Sequence, residues 1–291
     1  MLSPFLFLIF IDWTMKQVTN NSRTSIQWSL TEQLEDLDFA DDLALLAHTH
    51  QQLQDKSHNL EITAASLGLK INSSKTKVMR INNKNNTPIS MDQNQLEDVT
   101  SFTYLGSVIN IGGSEEDAKA RIGKARTTFN ILNKIWKTKN IPIKTKLKIF
   151  NSNVKSTLLY GSKTWKTTTT ILNKLQTFSN RCLRCLLGIY WPNTISNANL
   201  WELTKQEPLE TQIRRRKWKW IGHTLRRKNK SIAKQALTWN PQGKRKRGRP
   251  RATWRRTTEQ EMKAKGLTWQ QLDRKAQDRR GWRGFIKLQT K

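Results

Sequence analysis

The stretch Leu37-Asp38-Phe39-Ala40-Asp41-Asp42-Leu43-Ala44-Leu45-Leu46 constrains this chain more than any other. The apolar segments on either side of the Asp-Asp pair are too short for good helices and read as buried strands. Ionised carboxylates are costly to bury without a cation or a partner. A strand, an Asp-Asp turn and a second strand would place both charges at a tight bend. Two readings of these ten residues stay open. They form the solvated tip of a surface hairpin, or they supply oxygen ligands to a divalent cation such as Mg²⁺.

With 291 residues the chain can bury a real core and hold two domains or one elongated one. Its 52 Lys and Arg against 22 Asp and Glu call for a polyanionic partner. Nucleic acid fits better than a membrane surface, because Trp, Arg and Lys are interleaved rather than sorted onto one lipid-facing stripe. Two cysteines make no disulfide framework, so a reducing intracellular setting is expected. The apolar start, Leu2-Ser3-Pro4-Phe5-Leu6-Phe7-Leu8-Ile9-Phe10-Ile11, has no preceding Lys or Arg, and Asp12-Trp13 stands where a cleavage site would need small residues. It is also too short to span a bilayer. It reads as a buried helix with Pro4 in its first turn.

Three regions follow from pattern. Residues 1–110 are mixed α/β. A helix is expected over Gln51–Leu67, with Leu53, Leu60 and Ala64 on one face and Gly68 as its stop. A strand is expected at Lys77–Ile81, then an Asn-rich loop, then a hairpin within Val99–Asn110. Residues 111–205 read as helices. Ser114 is a hydroxyl cap before Glu115, Glu116 and Asp117. Ala118, Ile122, Ala125, Phe129 and Leu132 then share a face, and further helices fall at Lys144–Leu159 and Thr170–Leu187. Residues 206–291 hold roughly half of all the basic side chains and few acids. No internal repeat is present.

The run around Asp41-Asp42 resembles the aromatic-x-Asp-Asp hairpin of the reverse-transcriptase palm. Leu2–Phe7 resembles the end of the preceding motif. Gly68-Leu69-Lys70-Ile71-Asn72 with Lys75-Thr76-Lys77 resembles the next one, and Phe102-Thr103-Tyr104-Leu105-Gly106 the primer grip after it. Tyr160-Gly161-Ser162-Lys163-Thr164-Trp165 resembles the thumb signature, although Lys163 stands where an acid is commoner. Trp220-Ile221-Gly222-His223, Arg247-Gly248-Arg249-Pro250 and Asp278-Arg279-Arg280-Gly281-Trp282-Arg283 resemble the tail of the same proteins. In order and spacing the series is similar to the polymerases of non-LTR (LINE, RTE-like) retrotransposons.

That resemblance implies an α+β fold: a partial palm over 1–110, a helical thumb over 111–205 and a basic, mostly helical tail over 206–291. It implies an RNA template, a DNA primer or target, dNTPs in an intact parent, and two-metal nucleotidyl transfer using Mg²⁺. Asp41 is then the metal ligand and Asp42 its support. Lys75 sits where a cation neutralises or protonates pyrophosphate, and Phe102, Tyr104, Leu105 and Gly106 position the primer end. The partner carboxylate comes from an earlier strand in such polymerases. Asp12 is a poor substitute, because Leu2–Phe7 already fits the later motif. The fingers and that first Asp are therefore expected upstream of Met1. The chain is expected to be the carboxy-terminal part of a larger protein and inactive alone, or else a non-catalytic nucleic-acid-binding remnant.

The tail adds expectations of its own. Arg214-Arg215-Arg216-Lys217-Trp218-Lys219-Trp220 combines charge with flat rings suited to unpaired bases. Trp218 and Trp220 fit stacking or core equally, whereas Trp269 and Trp282 share helical spacing with Leu272 and Phe285 and read as core. The cluster Lys244-Arg245-Lys246-Arg247-Gly248-Arg249-Pro250-Arg251 reads first as non-specific phosphate contact, and also as a minor-groove or nuclear-localisation element. Cys182-x-x-Cys185 is half a zinc site and lies on an apolar helix face, where cysteine acts as a small hydrophobe.

Overall fold

The structure, a computed structural model, describes residues 3–19, 25–27, 33–81, 85–92, 94–239 and 253–289. The chain divides into two compact units, Met1–Ile111 and Gly112–Lys291. Among the described residues no helix is long and apolar enough to cross a membrane.

In the first unit α1 spans Ser3–Thr19, with Pro4 in its first turn, where a missing N–H costs little. The expected burial of this helix is not observed. Phe5 is 63% exposed and Leu6, Leu8, Ile9 and Phe10 are nearly half exposed, while Thr14, Met15 and Val18 are buried. The helix docks by its last turns alone, with Met15 and Val18 joining Leu60 of α2 (His50–Ser66) in a small core. A capping box starts α2: the Thr49 hydroxyl accepts from the Gln52 N–H, and the Gln52 side chain accepts from the Thr49 N–H. Gly68, at φ 72°, takes the left-handed turn that follows it.

The strands of this unit pair two by two among the described residues. β1 (Ile26–Gln27) and β2 (Gln33–Leu34) are antiparallel, as are β3 (Asp36–Phe39) and β4 (Asp42–Leu45). β5 (Lys77–Val78) lies parallel to β8 (Glu97–Asp98), and β6 (Ser90–Met91) pairs with β7 (Asn94–Gln95). β9 (Ser101–Tyr104) and β10 (Ser107–Asn110) form the last hairpin. The strand expected over Lys77–Ile81 is cut to two residues, with Val78 packed against Ile89, Met91 and Leu96.

The second unit is helical. α3 (Ser114–Ile131) carries Glu115, Glu116 and Asp117 in its first turn, where the helix dipole favours acids. Its cap is Gly113 rather than Ser114, because the Ser114 hydroxyl accepts from the Lys166 N–H at 3.0 Å. After α4 (Asn133–Lys137), the helix expected over Lys144–Leu159 is interrupted. It runs as α5 (Ile143–Ile149), a π-helical stretch over Phe150–Lys155 and α6 (Ser156–Leu158). The wide turn leaves Phe150 and Val154 fully buried. A 3₁₀ turn at Ser162–Thr164 then leads Trp165 inward, and its indole N–H donates to buried Asp117 at 2.7 Å.

α7 (Thr169–Leu187) is capped by the Thr168 hydroxyl and ends at Gly188, φ 68°. α8 (Asn197–Thr204) and α9 (Leu209–Leu225) follow. Two cores meet on α9. Leu209 and Ile213 belong to the core built on Phe150, Leu158, Leu175 and Leu183. Trp218, Ile221 and Leu225 belong to the next. That second core is completed by α10 (Ile232–Thr238), α11 (Trp254–Lys263), α12 (Trp269–Gln277) and α13 (Arg279–Gln289). They contribute Leu237, Met262, Leu272, Ala276, Trp282, Phe285 and Ile286.

Candidate active site

The β3–β4 register places Phe39 opposite Asp42, so Ala40-Asp41 is a two-residue turn. Ala40 lies at φ 55°, a region that a side chain enters only at a cost and that tight hairpin turns require. Opposed residues share a face of the pair and alternate along it. Asp36, Asp38, Leu43 and Leu45 therefore share one face, and Leu37, Phe39, Asp42 and Ala44 the other. Leu43 and Leu45 pack on the Met15–Val18–Leu60 core.

Asp38 shares this face but is only partly covered. Partial burial pushes its carboxyl up to about 7, helped by a hydrogen bond with Asp36 and by the negative charges of Asp36 and Asp12. Asp12 projects from α1 and pairs with Lys16 at 2.6 Å. It is helical, not strand-borne. Asp41 and Asp42 are exposed and make no ion pair among the described residues.

The second hairpin stands beside the first. The Tyr104 hydroxyl donates to the Leu37 carbonyl at 3.0 Å, tying β9 to β3. Burial raises the Tyr104 pKa, with the charges of Asp38, Asp42 and Asp36 adding to it, so the phenol stays a donor. Leu105 and Gly106 take φ 48° and 77° in a two-residue turn, the left-handed pair that matches strand twist. Phe102 and Tyr104 are half-buried and Leu105 is exposed. The structure thus brings the Asp-Asp turn and the Tyr104 hairpin together. Lys75 lies in an exposed turn, its N–H bonded to the Asn72 carbonyl, and no ion pair joins it to Asp41 or Asp42.

A buried ion pair anchors the first hairpin and was not singled out from sequence. The Lys56 ammonium, on α2, bonds the Glu35 carboxylate, the Ser25 hydroxyl and the Leu46 carbonyl, the last at 2.7 Å. Lys56 is 2% exposed. The signal was available: Lys56 falls three residues after Leu53 and four before Leu60, on the apolar face of its own helix.

Oxygen donors with no competing cation suit a hard divalent ion in kind. They fall short in number, because the described residues hold no group of three or more acids, histidines or cysteines placed around one ion. No chemical step through a metal follows from this donor set alone.

The basic residues of the tail are held by neighbouring acids and carbonyls to differing degrees. Arg214 pairs with Glu210 at 2.7 Å, and Arg215 grips both oxygens of Glu207. Arg216 donates to the Leu159 carbonyl. Buried Lys217 and the indole N–H of Trp218 share Glu261 at 2.6 and 2.8 Å, and Trp220 packs edge-on against Trp254. Trp218 is fully buried, so its ring is core; Lys219 remains exposed. The cluster Lys244–Arg251 lies outside the described residues. Cys182 is buried in the larger core with its thiol pushed up to about 12, chiefly by burial, and Cys185 accepts from the Tyr190 hydroxyl.

Residues 1–109, a span that includes the first hairpin and all but the last residue of the second, match the reverse transcriptase (RNA-dependent DNA polymerase) family. Residues 128–160 match a domain of unknown function, DUF6451. Beyond these, the chain is similar to a putative uncharacterized transposon-derived protein of Caenorhabditis elegans. The two are 26% identical over 288 residues, covering 88% of this chain and 96% of that one.

Proposed function

We propose that this chain is the carboxy-terminal part of an RNA-directed DNA polymerase from a non-LTR, RTE-like retrotransposon. One observation carries the reading: the Asp41-Asp42 turn and the Tyr104-Leu105-Gly106 hairpin are joined by the Tyr104–Leu37 hydrogen bond. Bound Mg²⁺ would supply activation of a primer hydroxyl and neutralisation of the departing pyrophosphate. Asp41 would be its ligand here and Asp42 the supporting carboxylate. Phe102, Tyr104, Leu105 and Gly106 would hold the primer end, with Lys75 as a cation for pyrophosphate. The basic cluster Lys244–Arg251 would serve phosphate contact and nuclear entry.

The short ligand set leads to a second part of the proposal: the 291-residue chain binds nucleic acid but does not extend a primer. Template-primer extension by the purified chain with Mg²⁺ and dNTPs measures this, and extension that is lost in Asp41→Ala would overturn it. The polymerase reading itself is tested on the genomic reading frame around Met1. A longer in-frame protein with an Asp-bearing strand should copy RNA and lose that activity on Asp41→Ala. Retained activity in that variant would sink the assignment of Asp41.

A further inference from the structure

The second unit carries a groove that the polymerase reading does not use. It runs between α3 and α7 and along residues 189–191, and it holds about 1500 Å³. Lys119, Arg126, Lys174, Arg181 and Arg184 line it, and no acidic side chain does. Lys119 and Lys174 are partly engaged by Glu116 and Glu115, and Arg184 by the Ile195 carbonyl and Asn197. Arg126 and Arg181 are exposed and make no ion pair among the described residues.

The aromatic side chains are as informative as the charge. Phe129 and Phe178 line the groove and pack against the larger core. Tyr190 and Trp191 also line it, yet they are 61% and 88% exposed. An indole that exposed contributes little burial to folding. Beside unpaired guanidinium groups, a flat ring of this kind offers a stacking platform for a base. Asn130, Asn133 and Asn173 add amides able both to donate to and accept from base edges.

We infer that this groove binds a single-stranded stretch of nucleic acid, with phosphates along Arg126 and Arg181 and a base stacked on Trp191. A duplex fits these features poorly, since its base faces are already covered by their neighbours. An acidic peptide would satisfy the arginines and leave the indole unused. The inference stands on the groove alone and not on Asp41, which lies in the other unit.

The test uses the 291-residue chain and fluorescence anisotropy with a labelled, non-self-complementary DNA of about 12 nucleotides, within the range of single-strand sites. RNA of the same sequence and the corresponding DNA duplex form parallel arms. Trp191→Ala should weaken single-strand binding by between about fivefold and 150-fold, and duplex binding by less than about twofold. A response of either single strand, DNA or RNA, supports the inference and identifies the polymer. Replacing Arg126 and Arg181 together by Ala should lower the slope of log affinity against log salt by about 1.4. Because Trp191 is so exposed, its variant should keep the parent's circular dichroism and Tm. Unchanged single-strand affinity in Trp191→Ala, or an equal loss on duplex, would overturn the inference. So would displacement of the strand by poly-glutamate as readily as by unlabelled DNA.

Discussion

Gly222 stands inside α9, where helix propensity alone favours alanine by about 1 kcal/mol. The packing reverses that preference. A Cβ built on Gly222 would lie 2.0 Å from Nε1 of Trp282 and 2.4 and 2.7 Å from the adjoining ring carbons. Ordinary contact needs about 3.5 Å, so the indole would have to retreat by about 1.5 Å. It has little room to do so. Trp282 is 3% exposed, donates to the Trp218 carbonyl at 3.2 Å, and has its ring centroid 5.0 Å from that of Phe285. Overpacking costs about 1–3 kcal/mol and a weakened hydrogen bond about 1 more. Less the propensity gain, Gly222→Ala should destabilise the second unit by about 1–3 kcal/mol. For a unit of this size that lowers Tm by roughly 2–12 °C. Thermal unfolding followed by near-ultraviolet circular dichroism, which reports indole packing, measures it. A Tm that stays level or rises would refute the steric argument. Trp282→Leu supplies the control: in that background Gly222→Ala should turn neutral or stabilising, and a persisting penalty would acquit the indole.

Three other perturbations follow from the packing. Lys56→Met removes the buried ammonium from the Glu35 carboxylate, the Ser25 hydroxyl and the Leu46 carbonyl and should cost about 1–3 kcal/mol in denaturant unfolding; a change under about 0.5 kcal/mol would show the ammonium to be dispensable. Trp165→Phe removes the indole donor to Asp117 and should cost about 1–3 kcal/mol; a change under about 0.5 kcal/mol would show that bond to be dispensable. Asp38 takes up a proton at about 7 when folded against an ordinary 3.8, so the folded chain binds more protons in that window. Its contribution to stability is therefore full at acid pH and is lost as pH rises through about 7. Asp38→Asn should flatten this part of the Tm profile relative to the parent, and superimposable profiles would contradict the assignment.

Much of the local structure was legible because local chemistry decides it. The β3–β4 turn follows from two carboxylates between short apolar runs, and α7 from apolar side chains at helical spacing. What escaped depends on partners distant in sequence. Hydropathy marks Phe5–Phe10 as apolar but cannot say what covers it, and in the structure that segment stays exposed. The run from Arg214 to Trp220 looks like a free basic surface until Glu207, Glu210 and Glu261 are brought against it. The tail motifs around Gly222 and Trp282 resemble a family signature in sequence; folded, they are one contact, a helix backbone bared for an indole. Nothing in the sequence links Tyr190 and Trp191 to Arg126 and Arg181, because only the fold brings all four to one groove.

One helix, α9, carries both cores of the second unit, and this makes it a ruler as well as a wall. Leu209 and Ile213 set its phase against one core, and Trp218, Ile221 and Leu225 set it against the other. Each residue added between Ile213 and Trp218 would turn the far core by about 100° and push it about 1.5 Å along the axis. The number of residues in that interval is therefore fixed independently of the contacts that Arg215, Arg216 and Lys217 make from it. Loss or gain of a single codon there would carry Gly222 and Trp282 around together with the far core and pull the Trp254 indole away from the Lys163 carbonyl it bonds.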